Sequence, residues 1–252
     1  MSRKLTSIII PTYNGLGLLR RLIDSIREHT DDRETPYELI VVDNGSADGT
    51  CEWCAERRIS FVSLGGNTGF PTACNKGLRV AAGERLMLLN NDIVATPNWL
   101  TNLAAGLEQE QGIGLTGPIT NYASGLQQAD YRFDSLEQFM RIASDVNRPD
   151  AGKRMRVMRI VGLCMLFKRE VYEKVGELDE RFSPGHYEDD DYCLRIRMSG
   201  YSLVMCKDAL VYHEGSASFR RTDSEEVERL IERNRQLFID KWGIDPGTFI
   251  GT

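Results

Sequence analysis

Short, unbroken apolar runs alternate with stretches of helical periodicity through the first half of the chain, and this alternation limits the fold more than any other feature. The runs are Thr6–Pro11 (TSIIIP), Glu38–Val42 (ELIVV), Ile59–Leu64 and Leu86–Leu89 (LMLL), with a fifth over Gly114–Gly117. A strand with one wet face alternates apolar and polar residues. These runs do not, so both faces of the sheet must be covered. Between them, Leu16–Glu28 sets Leu18, Leu19, Leu22, Ile23 and Ile26 at helical spacing. Ser46 or Asp48 can cap a helix reaching Arg57, and further helices are expected over Phe70–Ala81 and from Pro97 to Glu110. Alternation of this kind needs right-handed crossovers and predicts an α/β fold with a mostly parallel, Rossmann-like sheet flanked by helices.

The second half has a different pattern. Asp134–Val146 predicts a helix, Val157–Lys168 a long strand containing Gly162, and Tyr187–Met198 a helix. Ser202–Met205 and Ala209–Tyr212 predict two strands. Ser224–Trp242 is amphipathic, with Val227, Leu230, Ile231, Asn234, Leu237, Phe238 and Trp242 on or near one face, and is expected to pack on the core as a lid. At 252 residues, without repeats or flexible linkers, a single domain is expected.

The net charge of −6 argues against nucleic acid as a partner, which calls for a basic surface. Six cysteines include one CxxC, Cys51 and Cys54, inside a predicted helix. With no second pair at ligand spacing, they read as small apolar core residues in a reducing compartment rather than as a zinc site. Met1–Lys4 is followed by too few apolar residues for a signal peptide, and no run approaches the roughly 18 residues of a spanning helix. The expected setting is the cytoplasm, with peripheral contact to a membrane surface an option.

In a parallel sheet, ligands bind beyond the carboxyl ends of the strands. Three polar clusters fall there: Pro11-Thr12-Tyr13-Asn14-Gly15, Asp43-Asn44-Gly45-Ser46 and Asn90-Asn91-Asp92. Neither a dinucleotide fingerprint nor a phosphate-binding P-loop is present, so phosphates call for another partner, most simply a divalent cation. Asp92, a hard carboxylate at a strand end, suits Mg²⁺ or Mn²⁺. His213 can stand beside it or serve as a structural histidine, and His29 reads as a surface residue. Glu188-Asp189-Asp190-Asp191 is the densest charge in the chain. Four adjacent acids sit best at a helix start, where the helix dipole favours negative charge. One of them can act as a general base. Arg195, four residues after Asp191, can hold that acid in place.

In order along the chain, SIIIPTYNG, ELIVVDNGSADGT, GGNTGFPTACNKG, LMLLNNDI, GHYEDDDYCLRIRMSGY and VYHEGS resemble the family-2 glycosyltransferases of GT-A fold, closest to the rhamnosyltransferase-like group that builds bacterial polysaccharides. The resemblance implies a nucleotide-sugar-binding half over 1–118 and an acceptor and base half over 119–252. It gives Asp43 the nucleotide base, with Pro11, Thr12, Tyr13 and Asn14 lining the same pocket. Asn67, Gly69 and Asn91 lie along the donor. Asp92 matches the last position of the family's DxD motif, although Asn90 stands where the first acid would be. His213 matches a position near the diphosphate, as a second metal ligand. Asp189 matches the base, with Glu188 and Asp191 in support. The implied reaction moves a sugar, with inversion, from a nucleoside-diphosphate sugar to a hydroxyl of a saccharide or lipid-linked acceptor. A catalytically inactive nucleotide-sugar-binding module and another nucleotide-dependent transferase are the alternatives.

Overall fold

The computed structural model describes residues 4–215 and 224–251. One mixed sheet runs through the molecule. Its strands are β1 (Thr6–Thr12), β2 (Tyr37–Asp43), β3 (Ser60–Ser63), β4 (Arg85–Leu89), β5 (Ile93–Val94), β6 (Ile113–Thr120), β7 (Arg154–Val157), β8 (Cys164–Lys168) and β9 (Ser202–His213). Their order is β3-β2-β1-β4-β8-β6-β9-β5, with β7 on a second edge of β9. The β3-β2-β1-β4 part is parallel, as the strand–helix alternation requires. The sheet then becomes mixed, because β8 enters antiparallel between β4 and β6 while β6 and β9 run parallel.

The helices are α1 (Leu16–His29), α2 (Thr50–Glu56), α3 (Phe70–Val80), α4 (Trp99–Glu108), α5 (Leu136–Val146), α6 (Arg169–Val175), α7 (Glu188–Met198) and α8 (Ser224–Trp242). Two apolar layers explain why the strands are unbroken apolar runs. Ile8, Ile10, Val41, Met87 and Leu89 face one layer, with Leu22 of α1, Trp53 of α2 and Trp99 of α4. Ile9, Val42, Leu86 and Leu88 face the other, with Leu78 of α3, Phe139 of α5, Val171 of α6 and Tyr192 of α7. Adjacent residues on a strand point to opposite faces, so every position of β1 and β4 is buried; β3, at the sheet edge, is mostly exposed, so the Ile59–Leu64 run is not covered on both faces as expected.

Several elements differ from the sequence expectation. The predicted strand over Val157–Lys168 is two strands, β7 and β8, which pair with different neighbours. Residues 158–163 between them spend their backbone donors on side chains instead: Ile160 N–H on Cys193 Sγ, Val161 N–H on Gln127 Oε1 and Gly162 N–H on Asp189 Oδ2. Conversely, the strands expected over Ser202–Met205 and Ala209–Tyr212 are one strand, β9. Its register against β6 jumps from Pro118↔Cys206 to Ile119↔Leu210. Asn147 bridges the irregularity, accepting from Leu210 N–H at 2.6 Å and donating to Leu210 O at 3.2 Å. Helix α2 starts at Thr50, later than a Ser46 or Asp48 cap would place it. Asp48 accepts from Leu16 N–H and Thr50 Oγ1–H instead.

Only the second half of α8 is deeply seated. Phe238 is fully buried with Phe182 and Leu194, and Asn234 is buried beside them, whereas Val227, Leu230 and Ile231 are half-buried. Among the described residues, no helix is long and apolar enough to cross a membrane.

Candidate active site

The polar strand ends gather along one edge of the sheet. Thr12, Asp43 and Ser63 are register partners at the carboxyl ends of β1, β2 and β3. Asp43 is buried and oriented by its own loop: Oδ1 accepts from Ser46 N–H at 3.1 Å and Oδ2 from the Cys51 thiol at 3.1 Å. Cys51 is therefore not the core residue expected, unlike its CxxC partner Cys54. Burial pushes the Cys51 thiol up, which keeps it a donor. Pro11 is buried within β1 and Tyr13 stands exposed above it. Asn14, in the left-handed region at φ 47°, ties two loops together: its N–H donates to Ser46 Oγ and its side-chain oxygen accepts from Ala47 N–H.

Asn67 and Gly69 form the lip of α3, but Asn67 is turned inward. Its oxygen accepts from Gly69 N–H at 3.1 Å and from Asn44 Nδ2 at 2.9 Å. Asn44 also accepts from Thr68 N–H and Oγ1–H, so this one residue fastens the whole lip. At Gly69, φ is 88° and a Cβ would lie 2.7 Å from Pro184 Cα, so glycine is required where the lip meets the segment leading to α7.

Asn91 donates to Thr12 Oγ1 at 2.8 Å, joining the β4 end to the β1 end. The next residue, Asp92, meets His213 because β5 pairs with the end of β9 in the register Ile93↔His213. His213 Nε2 stands 3.2 Å from Asp92 Oδ1. This contact is an ion-pair distance without hydrogen-bond alignment, so the buried Oδ1 has no hydrogen-bond partner among the described residues. On the other side of the ring, Nδ1 is 2.7 Å from Tyr122 O; a carbonyl can only accept, so Nδ1 carries a proton. Asn121 brackets the His213 backbone, donating to its carbonyl and accepting from its N–H. Burial lowers the proton affinity of His213, but the Asp92 carboxylate more than offsets this and the net direction is up. Two oxygen and nitrogen donors therefore face each other, one carrying an orphaned lone pair, which fits a divalent cation. No cluster of three or more such side chains occurs among the described residues.

The acidic run opens α7, as its charge demands. His186 and Tyr187 precede it with φ of 74° and 70°, two successive left-handed residues that are not glycine. The Asn234 amide of α8 fixes them, donating to Phe182 O, Gly185 O and His186 O at 2.6, 2.7 and 3.1 Å. The four acids then diverge. Asp191 accepts from Arg195 Nε at 2.8 Å, as its spacing predicts, and also from Lys241 Nζ at 2.5 Å and Trp242 Nε1 at 2.8 Å. Asp190 is buried and paired with Arg159 Nε at 2.6 Å. Burial and the neighbouring Asp189 push Asp190 up to about 7. Glu188 is buried, its Oε2 meets no hydrogen-bond donor among the described residues, and burial pushes it well above the usual carboxylate range. Asp189 accepts from Gly162 N–H at 2.8 Å through Oδ2 and from Asp190 N–H at 2.9 Å through Oδ1.

One contact links the acid run to the Asp92 loop. Asn90 N–H donates to Leu163 O at 2.9 Å, and the residue before Leu163 is the Gly162 that grips Asp189. A cavity of about 590 Å³ lies elsewhere, around His29, Asp31, Tyr37 and Asn98. Tyr37 opens β2, so this cavity lies at the amino end of that strand, opposite to where the polar clusters converge. His29, expected on the surface, is half-buried there, and burial lowers its proton affinity.

Sequence reasoning missed Asn121, Tyr122 and Arg159 as parts of this arrangement, and placed Asn44 in its polar cluster without its role in holding the lip. Asn121-Tyr122 forms a fourth polar cluster at a strand end. It was hidden because β6 continues through Pro118 to Thr120 rather than stopping at Gly117.

The comparisons with known proteins bear on the family and the fold. The uncharacterized protein y4gI of Sinorhizobium fredii is 30% identical over 94% of the chain, which spans 27% of that protein. The low-salt glycan biosynthesis hexosyltransferase Agl10 of Haloferax volcanii is 25% identical over 92% of the chain and 74% of its own length. The O-antigen biosynthesis protein RfbC of Myxococcus xanthus is 27% identical over 86% of the chain and 18% of its own length. Among solved structures, the mannosyltransferase PcManGT of Pyrobaculum calidifontis, in complex with GDP-Man and Mn²⁺, superposes with a TM-score of 0.62 at 22% identity, over 87% of this chain and 61% of that one. GalNAc-T7 with UDP, GalNAc and Mn²⁺ gives 0.66 at 18% identity, over 91% of this chain and 48% of that one. The fold is that of the GT-A glycosyltransferases. The model of glycosyl transferase family 2 matches residues 7–176, more than half of the sequence, and the chain belongs to that family.

Proposed function

We propose that this glycosyltransferase moves a sugar, with inversion, from a nucleoside-diphosphate sugar to a hydroxyl of a saccharide or lipid-linked acceptor, in the assembly of a polysaccharide or cell-surface glycan. The observation that carries the reading is Asp189: a carboxylate at the start of α7, gripped by Gly162, one residue from the contact that leads to the Asp92 loop. Glycan-building relatives and neighbours solved with nucleotide sugars support it. Residues 1–118 supply the donor side, with Asp43 reading the base and Pro11–Asn14, Asn67, Gly69 and Asn91 shaping its pocket. Residues 119–252 supply the acceptor side and the base.

Asp92 and His213 would hold Mg²⁺ or Mn²⁺, the latter present in both structural neighbours. The cation would supply positive charge against the departing diphosphate. The chain's own groups do the rest. Asp189 takes the proton from the acceptor hydroxyl as that oxygen attacks the anomeric carbon from the face opposite the leaving group. Glu188 crowds the site from the same turn, and Asp191, saturated by Arg195, Lys241 and Trp242, anchors α7. The proposed setting is the cytoplasm, at a membrane surface when the acceptor is lipid-linked.

Asp189→Asn keeps the shape and removes the basicity. With a labelled donor, kcat should fall by ~10²–10⁴, the scale of lost general-base catalysis, while donor binding survives. A near-wild-type kcat would overturn the assignment.

A further inference from the structure

Arg159 lies between β7 and β8, and its guanidinium is nearly enclosed. Nε donates to Asp190 Oδ1 at 2.6 Å and Nη1 to Ser124 Oγ at 2.7 Å, while Nη2 stands 4.0 Å from Asp189 Oδ2. Three residues later, Gly162 N–H donates to that same Asp189 oxygen. One short segment therefore brings a cation and a hydrogen-bond donor to one carboxylate oxygen.

The charge around Asp189 makes the cation matter. From α7 it is faced by Glu188, Asp190 and the Cys193 thiol; from the preceding turn by His186; from the 158–163 segment by Arg159. Arg195 and Lys241 are spent on Asp191. Three buried carboxylates, Glu188, Asp189 and Asp190, thus share the Arg159 cation, and an opposite charge at this range favours the ionised form of a carboxylate. Ser124 fixes the far side of the fork, two residues after Tyr122, whose carbonyl holds His213. A guanidinium gripped at two edges has little freedom to turn away.

We infer that Arg159 is a positioning residue for the base: clamped by Asp190 and Ser124, it holds the Asp189 carboxylate in place. The inference rests on Asp189 being the base. The competing role is a structural ion pair that merely fastens the 158–163 segment to α7.

The test measures kcat against pH at saturating donor, and donor affinity by thermal shift, for R159M, R159K and R159M/D190N. R159M should lose roughly 10–100-fold in kcat and move the acidic limb up by about one pH unit, as loss of a neighbouring opposite charge does. Its donor affinity should stay within about threefold, because the donor side does not touch Arg159. R159K should return the limb to its wild-type position and recover only part of kcat, since an ammonium cannot reproduce the fork. The double variant removes the Asp190 charge that R159M leaves without its partner, and so keeps the question open to test if R159M does not fold. Its kcat should remain at least ~10-fold down. Wild-type kcat and limb in R159M, or in the double variant if R159M is unfolded, would overturn the inference. If Asp189→Asn is inactive at the same time, the base assignment survives that result. An active Asp189→Asn would overturn the base assignment itself.

Discussion

Asp92 carries more of this site than its size suggests. It is the lone acid in Asn90-Asn91-Asp92, and its Oδ1 is buried without a hydrogen-bond donor. A buried carboxylate oxygen left in this state costs free energy unless a cation or donor satisfies it. Asp92→Ala should therefore abolish turnover and also the extra thermal stabilisation that Mn²⁺ gives in the presence of a nucleoside diphosphate. Full activity of the wild-type protein in excess chelator would contradict this. The placement of Asp92 and Asp189 was legible in the sequence: an apolar run ending before Asp92 marks a strand end, and an acidic cluster sits best at a helix start. Asn44 and Asn67 were harder to assign. An asparagine can line a pocket or fasten a turn, and only the contacts show that both turn inward to hold the α3 lip.

At the scale of elements, the parallel part of the sheet was readable because both its faces are covered and its strands are unbroken apolar runs. The 158–163 segment was not. Its residues Ile160, Val161 and Leu163 have strand-like chemistry, yet their surroundings divert the backbone to Cys193, Gln127 and Asn90. Helix α8 was recognised by its apolar face, but its strongest hold is polar. Asn234 donates to three carbonyls of the turn that feeds α7, including that of left-handed His186. Asn234→Ala leaves buried carbonyls unpaired and should destabilise the protein by about 2–3 kcal/mol. It should also lower kcat more than it weakens donor binding, because α7 carries the proposed base, Asp189. Urea unfolding and steady-state kinetics check both; an unchanged midpoint would show that the turn holds itself.

For the whole molecule, the buried acids tie stability to pH. Asp190 goes from its ordinary value of 3.8 to about 7 on folding, and Glu188 moves in the same direction, burial being the main cause in both. A carboxyl raised on folding contributes stability that is complete below its unfolded value and is lost as pH rises through its folded value. This contribution therefore fades between about pH 4 and 7. Asp179 acts in the opposite sense: its hydrogen bonds from Arg181 and Lys241 hold it well below the usual carboxylate range, so its contribution is lost only in strong acid. Asp190→Asn should therefore flatten the decline in melting temperature between about pH 4 and 7. An identical decline in the variant would assign the effect to other groups.

The position of β8 has a consequence for how the molecule can be divided. A cut at residue 118 falls inside β6, and β8, which pairs with both β4 and β6, lies on the far side of that cut. A fragment of residues 1–118 would expose the β4 backbone from Arg85 to Leu89 as an open edge, flanked by the apolar Leu86 and Leu88, and an edge of that kind invites pairing with other chains. The two halves of the chain therefore share their central strands, and grafting one onto a new partner would require that partner to bring its own antiparallel strand to close the gap.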